Sequence, residues 1–352
     1  MSTFEYGNTR LRARLSRLLT KETLEELTRA DNMDGFLSLL IKTSYKSSVE
    51  KALTHSSGIQ TVHTCLELES EKLFNDYYKF YTESARDKIG LIFSFNDLQN
   101  IHTIVRGILG NVAQPEIQDL LTRSGQIPFH ILRDLSMSRN FSDLVTKMVA
   151  FHIPYTDVLL RNQTLLPSLQ GAQIELMLEK NFYQNVIEGN KKIFDQAVFL
   201  KEYFSIHADQ ENIMCALRVV KNPEIITSNH LDIKDCFINA GMISRSMLIS
   251  ISKEKDIVKA IERLKGTPYY ACLQVGLNDF NRTGLLTEFE ERLRKMLLKR
   301  AAQYPLEDPL GVGVPIGFLV RKTNEMQNLW WIAKGVQLDF DSADIIEHLE
   351  VL

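Results

Sequence analysis

An acid, an amide and an aliphatic residue recur at i, i+3 and i+4 in three places: Asp97, Asn100 and Ile101; Asp209, Asn212 and Ile213; Glu325, Asn328 and Leu329. Nowhere else is an Asn followed by Ile or Leu, and six positions beyond each of these Asn residues stands a base, Arg106, Arg218 or Lys334. On a helix the acid, the amide and the aliphatic residue share one face, which Ile104, Ala216 and Ile332 continue at i+7. An acid beside an amide can cap a nearby helix or bind exposed backbone, or it can line a surface that grips a partner. Acid–base catalysis is not expected from them. The acids lie 112 and 116 residues apart (209−97 and 325−209), so they do not readily converge on one reacting atom.

The other chemistry-bearing residues offer less. Gly311, Gly313 and Gly317 lack the Lys-Ser/Thr of a phosphate loop and are expected to form a flexible loop after a long helix. The eight His residues have no paired metal spacing: His55 and His63 are eight apart and His102 stands alone, so neither metal nor cofactor is expected. Cys65, Cys215, Cys236 and Cys272 include no C-x-x-C pair and read as buried free thiols of a reducing compartment. Arg10, Arg12, Arg14 and Arg17 form the densest basic cluster, either a solvated helix face or a dock for an acidic partner. The aromatics around Phe74–Tyr81 and at Phe182 and Tyr183 are expected in the core.

The elements that must hold these residues are helical. Leu11, Leu15, Leu18 and Leu19 make one helical stripe, and Leu286, Phe289, Leu293, Met296 and Leu297 make a stronger one between Leu285 and Ala302. Hairpin signals are scarce, because the single Asp34-Gly35 pair sits within a helical run. A net charge of −3 gives no overall field for nucleic acid, and no apolar run approaches the ~20 residues of a membrane span. The start MSTFEYGNTRLRARL has no apolar signal core, so a cytoplasmic location is expected, with any membrane connection made through a partner.

A second marker runs in phase with the first. The pairs Leu24/Leu27, Leu132/Leu135 and Leu248/Ile251 end 70, 74 and 74 residues before the three acids (97−27, 209−135 and 325−251). The expectation is an all-α chain of three similar helical-bundle repeats, 1–110, 111–222 and 223–352, with joints near Gly110–Pro115 and Asn222–Pro223. Each unit far exceeds the roughly 34–47 residues of common helical solenoids, so an arrangement around a pseudo-threefold axis, a funnel or wedge, is expected over a stacked ribbon.

Tyr6-x-Asn8-x-Arg10-x-Arg12, followed by Leu18-Leu19 and Leu24/Leu27, resembles the start of the C subunit of archaeal and bacterial V-type ATPases, the d subunit in eukaryotes. Pro315-Ile316-Gly317-Phe318, then Lys322, Glu325, Asn328-Leu329, Ile332 and Gly335, is similar to the end of the same family. The resemblance implies a non-catalytic rotor component, a socket that couples the D and F shaft proteins to the proteolipid ring and passes torque between them. It also implies a monomer when isolated, peripheral to the membrane and touching no nucleotide. The repeated acids, amides and bases, with Arg10 and Arg12, are the candidate partner-binding residues. One departure is Trp330, where the family tends to carry Arg; the matching positions are His102 and Met214. A generic cytosolic helical scaffold is the alternative.

Overall fold

The computed structural model describes residues 4–153, 156–161, 171–228 and 232–352; the first three residues of the chain lie outside them. Among the described residues the chain is all α, with twenty α-helices, one short 3-10 turn and no strand. None of these helices is long and apolar enough to cross a membrane. The chain forms two compact units: Met1–Phe93 with Thr122–Gly125 and Leu298–Leu352, and Ser94–Leu121 with Gln126–Leu297.

The three acid-x-x-Asn elements lie on the three longest helices, Glu83–Leu109, Val198–Lys221 and Gly313–Gln337, in chain order the first, second and third long helix below. The first two end at Leu109 and Lys221, immediately before Gly110 and Asn222. The three apolar pairs lie on short helices, Lys21–Thr28, Phe129–Ser136 and Arg245–Ser252, and all six side chains are buried.

A second short helix follows each of these, and cap chemistry sets where it begins. Asn32, Asn140 and Asp256 stand twelve positions after Thr20, Pro128 and Ser244 (32−20, 140−128 and 256−244). Each accepts a hydrogen bond at its side chain from a backbone N–H three residues on, in Gly35, Asp143 and Lys259, opening Met33–Leu40, Phe141–Ala150 and Ile257–Glu262. Their inner faces are apolar: Phe36, Leu37 and Leu40; Leu144, Val145 and Met148; Ile257, Ala260 and Ile261.

Two local expectations are corrected. The stripe from Leu11 to Leu19 is not one helix, because the helix Glu5–Leu15 stops before Leu18 and Leu19, and the Leu19 N–H is taken up elsewhere. The glycine-rich stretch is a loop only to Val312; from Gly313 it is helix. Its glycines serve close packing. A Cβ on Gly313 would lie 2.6 Å from the Tyr304 carbonyl oxygen, and one on Gly317 would lie 2.3 Å from Pro305 Cγ.

Candidate functional site

The three acids sit on different long helices and make the same kind of contact. Asp97 accepts the backbone N–H groups of Gln126 and Ile127, both at 2.9 Å, ahead of Phe129–Ser136. Asp209 accepts those of Met242 and Ile243, at 2.9 and 3.1 Å, ahead of Arg245–Ser252. Glu325 accepts that of Leu19, ahead of Lys21–Thr28. A tyrosine hydroxyl also donates to two of them, Tyr269 to Asp209 and Tyr45 to Glu325, each at 2.7 Å. All three carboxylates are buried.

The amides bind backbone from the next turn of the same face. Asn212 donates to the Ile238 carbonyl at 2.9 Å and accepts the Ile238 N–H at 2.7 Å. Asn328 donates to the Glu350 carbonyl at 2.7 Å and accepts its N–H at 3.3 Å, and Asn324 donates to the same carbonyl. Asn100 is buried as well. In one unit the segment from Ile238 to Ile243 is continuous. In the other, the corresponding places are taken by Glu350 near the C-terminus and Leu19 near the N-terminus.

The surroundings of the acids differ in charge. Burial pushes the Asp97 carboxyl up to about 6, against the pull of its two N–H donors. Burial also raises Asp209, opposed by Tyr269 and the two backbone donors. Around Glu325 lies an ionic cluster: Lys322 Nζ is 2.8 Å from its carboxylate, 3.6 Å from Glu69 and 3.9 Å above the Tyr45 ring. Burial works against the charge on Glu69, but Lys322, the Ser48 hydroxyl and Lys72 together hold it below the usual carboxylate range. Beside this cluster a polar hollow of about 110 Å³ is lined in part by Arg14, Arg17, Glu69, Lys72, Asp76 and Lys322. Arg14 pairs with Asp76 and Lys72 with Glu69, so its charges mainly neutralise one another.

The bases stand nine residues beyond the acids, on the opposite side of each helix from the buried face. Arg106 and Arg218 are exposed; Arg106 holds Glu175 through two hydrogen bonds of 2.7 Å, and Arg218 lies 3.8 Å from Glu290. Lys334 lies over the Trp330 ring, where the departure from the expected Arg supplies a cation–π partner. Arg10 is exposed over Tyr6, and Arg12 donates to the Pro309 carbonyl. Asn8, from the opening motif, bridges Tyr81 and the Gly311 carbonyl, and Tyr77 donates to that of Pro315, so the two end motifs meet.

One signal escaped the sequence reading. Gly125-x-Ile127 and Gly241-x-Ile243 supply the N–H groups that Asp97 and Asp209 hold. A Cβ on Gly241 would lie 1.9 Å from Asp209 Oδ1, so a short acid can reach the backbone only past a residue with no side chain.

Together the fold and these contacts define a helical scaffold, in which acids and amides grip the chain's own backbone. Among the described residues no three His, Cys, Asp or Glu side chains converge as a metal centre requires. The sequence profile of the ATP synthase (C/AC39) subunit family matches residues 7–348, and the chain belongs to that family. It is 24% identical over 335 residues to the A-type ATP synthase C subunit of Pyrococcus horikoshii, covering 95% of this chain and 86% of the relative. To that of Methanothermobacter thermautotrophicus it is 26% identical over 342 residues, covering 94% and 83%; to that of Haloferax volcanii, 23% over 358 residues, covering 99% and 97%.

Proposed function

We propose that the chain is a non-catalytic central-stalk component of a rotary ATP synthase or ATPase. It sits between the D and F shaft proteins and the proteolipid ring, peripheral to the cytoplasmic face of the membrane, and transmits torque between them. The observation that carries this reading is the family match from residue 7 to residue 348, joined by relatives named as the C subunit of the A-type ATP synthase over 86% and 97% of their length. The internal contacts suit a torque-bearing part: Glu325 and Asn328 tie segments from both chain ends to one helix, which resists unwinding from either end.

In this reading the chain comprises three helical repeats around a pseudo-threefold axis, each keyed by one acid-x-x-Asn element. The buried Asp97, Asn100, Asp209, Asn212, Glu325 and Asn328 act on partners indirectly, by stiffening the surface. Direct contact falls to Arg10, Arg12, Arg106, Arg218 and Lys334, whose charges can set register with a partner. The test is affinity purification of the tagged full chain from detergent-solubilised membranes of its own cells. Shaft and ring proteins are expected to copurify, with recovery reduced by Arg10→Glu. Recovery of neither overturns the reading.

A further inference from the structure

The second long helix grips the segment beside it at successive positions of one face. Asp209 holds Met242 and Ile243, and Asn212 holds Ile238. Three residues further along that face, Cys215 Sγ lies 3.8 Å from the Cys236 carbonyl oxygen, and the two thiols share a hydrogen bond. As the helix positions rise by threes, the partner positions fall, so Cys215 against Cys236 is the third rung of one ladder.

We propose that Cys215 and Cys236 are an oxidisable dithiol, which a small peroxide converts into an intramolecular disulfide joining the second long helix to the segment it already grips. The partners are in place: Cys236 Sγ is also held 3.4 Å from the Asp232 carbonyl, and Lys180, which donates to the Asp235 carbonyl at 2.6 Å, lies close by. The Cys215 hydrogen bond holds the Cys236 thiol below the usual range against its burial, with help from Lys180, which makes Cys236 the nucleophile. Access selects the oxidant. Cys236 is 3% exposed and Cys215 is partly exposed, so a peroxide reaches the sulfur where a bulky disulfide does not.

The Cys236 thiolate attacks one peroxide oxygen, the O–O bond breaks, and hydroxide leaves to become water, giving a sulfenic acid. Cys215, whose thiol the Cys236 hydrogen bond and burial hold well above its ordinary range, attacks the Cys236 sulfur as its proton passes to the departing hydroxide; the S–O bond breaks and that hydroxide leaves as the second water. Two thiols are oxidised by two electrons, and one hydrogen peroxide is reduced to two waters. The other cysteines are internal controls. Burial pushes Cys65 up to about 12 and Cys272 up to about 11, so neither can take the attacking role that the lowered Cys236 fills.

The experiment treats the purified full chain with hydrogen peroxide, alkylates the remaining thiols after unfolding, and maps peptides by mass spectrometry without reductant. Two of the four free thiols are expected to become resistant to alkylation, in a Cys215–Cys236 cross-linked peptide that dithiothreitol releases. Cys215→Ser is expected to abolish the cross-link and leave a dimedone-reactive sulfenic acid on Cys236. The proposal is overturned if four alkylatable thiols survive, if the linkage joins other cysteines or two chains, or if oxidation falls on Cys65 or Cys272. The wild-type map decides the matter even where a variant folds poorly.

Discussion

Asp209 and Glu325 perform the same task under different conditions. Asp209 reaches backbone 33 and 34 residues along the chain and is helped by neutral donors: two N–H groups and the Tyr269 hydroxyl. Glu325 reaches Leu19, 306 positions away in sequence, and has the buried Lys322 beside it. The acids also differ by one methylene, and so do their approaches. The shorter one needs Gly241 beneath it, whereas Arg17 stands at the corresponding place before Leu19. A contact within a short stretch closes a small loop and is held by hydrogen bonds that cost little to align. The contact between the chain's two ends must also offset the entropy of a far longer loop, and there a charged partner has been added.

The largest expected effect comes from breaking the charged contact. Glu325→Gln leaves Lys322 buried with Glu69 as its remaining acid, and by analogy with broken buried pairs it should cost about 3–5 kcal/mol. Asp209→Asn keeps one acceptor and turns an amide N–H toward a backbone donor, for about 1–3 kcal/mol. Urea denaturation of both variants measures the difference. If Asp209→Asn costs as much as Glu325→Gln, the charge contributes nothing to the closure and the comparison fails. Pairing Glu325→Gln with Lys322→Met should recover part of the loss, because the stranded cation is then gone.

Asp97 sharpens the contrast through pH. It has backbone donors like Asp209, and burial lifts its carboxyl to about 6 from an ordinary value of 3.8. Because the folded state holds the proton more tightly than the unfolded state, the favourable contribution is fully present below pH ~4 and is lost as pH rises through ~6. The amount is about 2–3 kcal/mol for a shift of this size. His102 works the other way: burial depresses its imidazole to about 4, so its contribution is lost as pH falls from ~6.5 toward ~4. Stability measured from pH 4 to 7 should therefore lose a falling component in Asp97→Asn and a rising one in His102→Gln. Unchanged slopes in both variants would show that neither group is desolvated as the structure has it.

Helix content and the spacing of the acid-x-x-Asn elements were legible because they rest on local rules of period and composition. The Leu24/Leu27, Leu132/Leu135 and Leu248/Ile251 pairs were legible for the same reason, and each is buried. What the acids bind was not legible, since a backbone N–H carries no residue identity; only Gly125 and Gly241 mark the place. The glycines from Gly311 to Gly317 read as a loop because composition cannot distinguish glycine needed for a turn from glycine needed where helices touch. The break after Leu15 was hidden because Leu18 and Leu19 keep the apolar period after the helix has ended.

The smallest effect tests whether local structure is alike in the two units. Thr20 and Ser244 both accept a backbone hydrogen bond that opens a short helix, from Thr23 and Met247, each at 3.3 Å. Removing such a cap costs typically about 1 kcal/mol, so Thr20→Ala and Ser244→Ala should shift the urea midpoint by similar amounts if capping is all that changes. Thr20, however, follows Leu19, whose N–H Glu325 holds, so a loosened cap there also loosens the closure of the chain. A Thr20→Ala cost well above that of Ser244→Ala, falling to the same value in a Glu325→Gln background, would place the excess in the closing contact. Equal costs in both backgrounds would mean that Glu325 holds Leu19 whether or not the helix after it is capped.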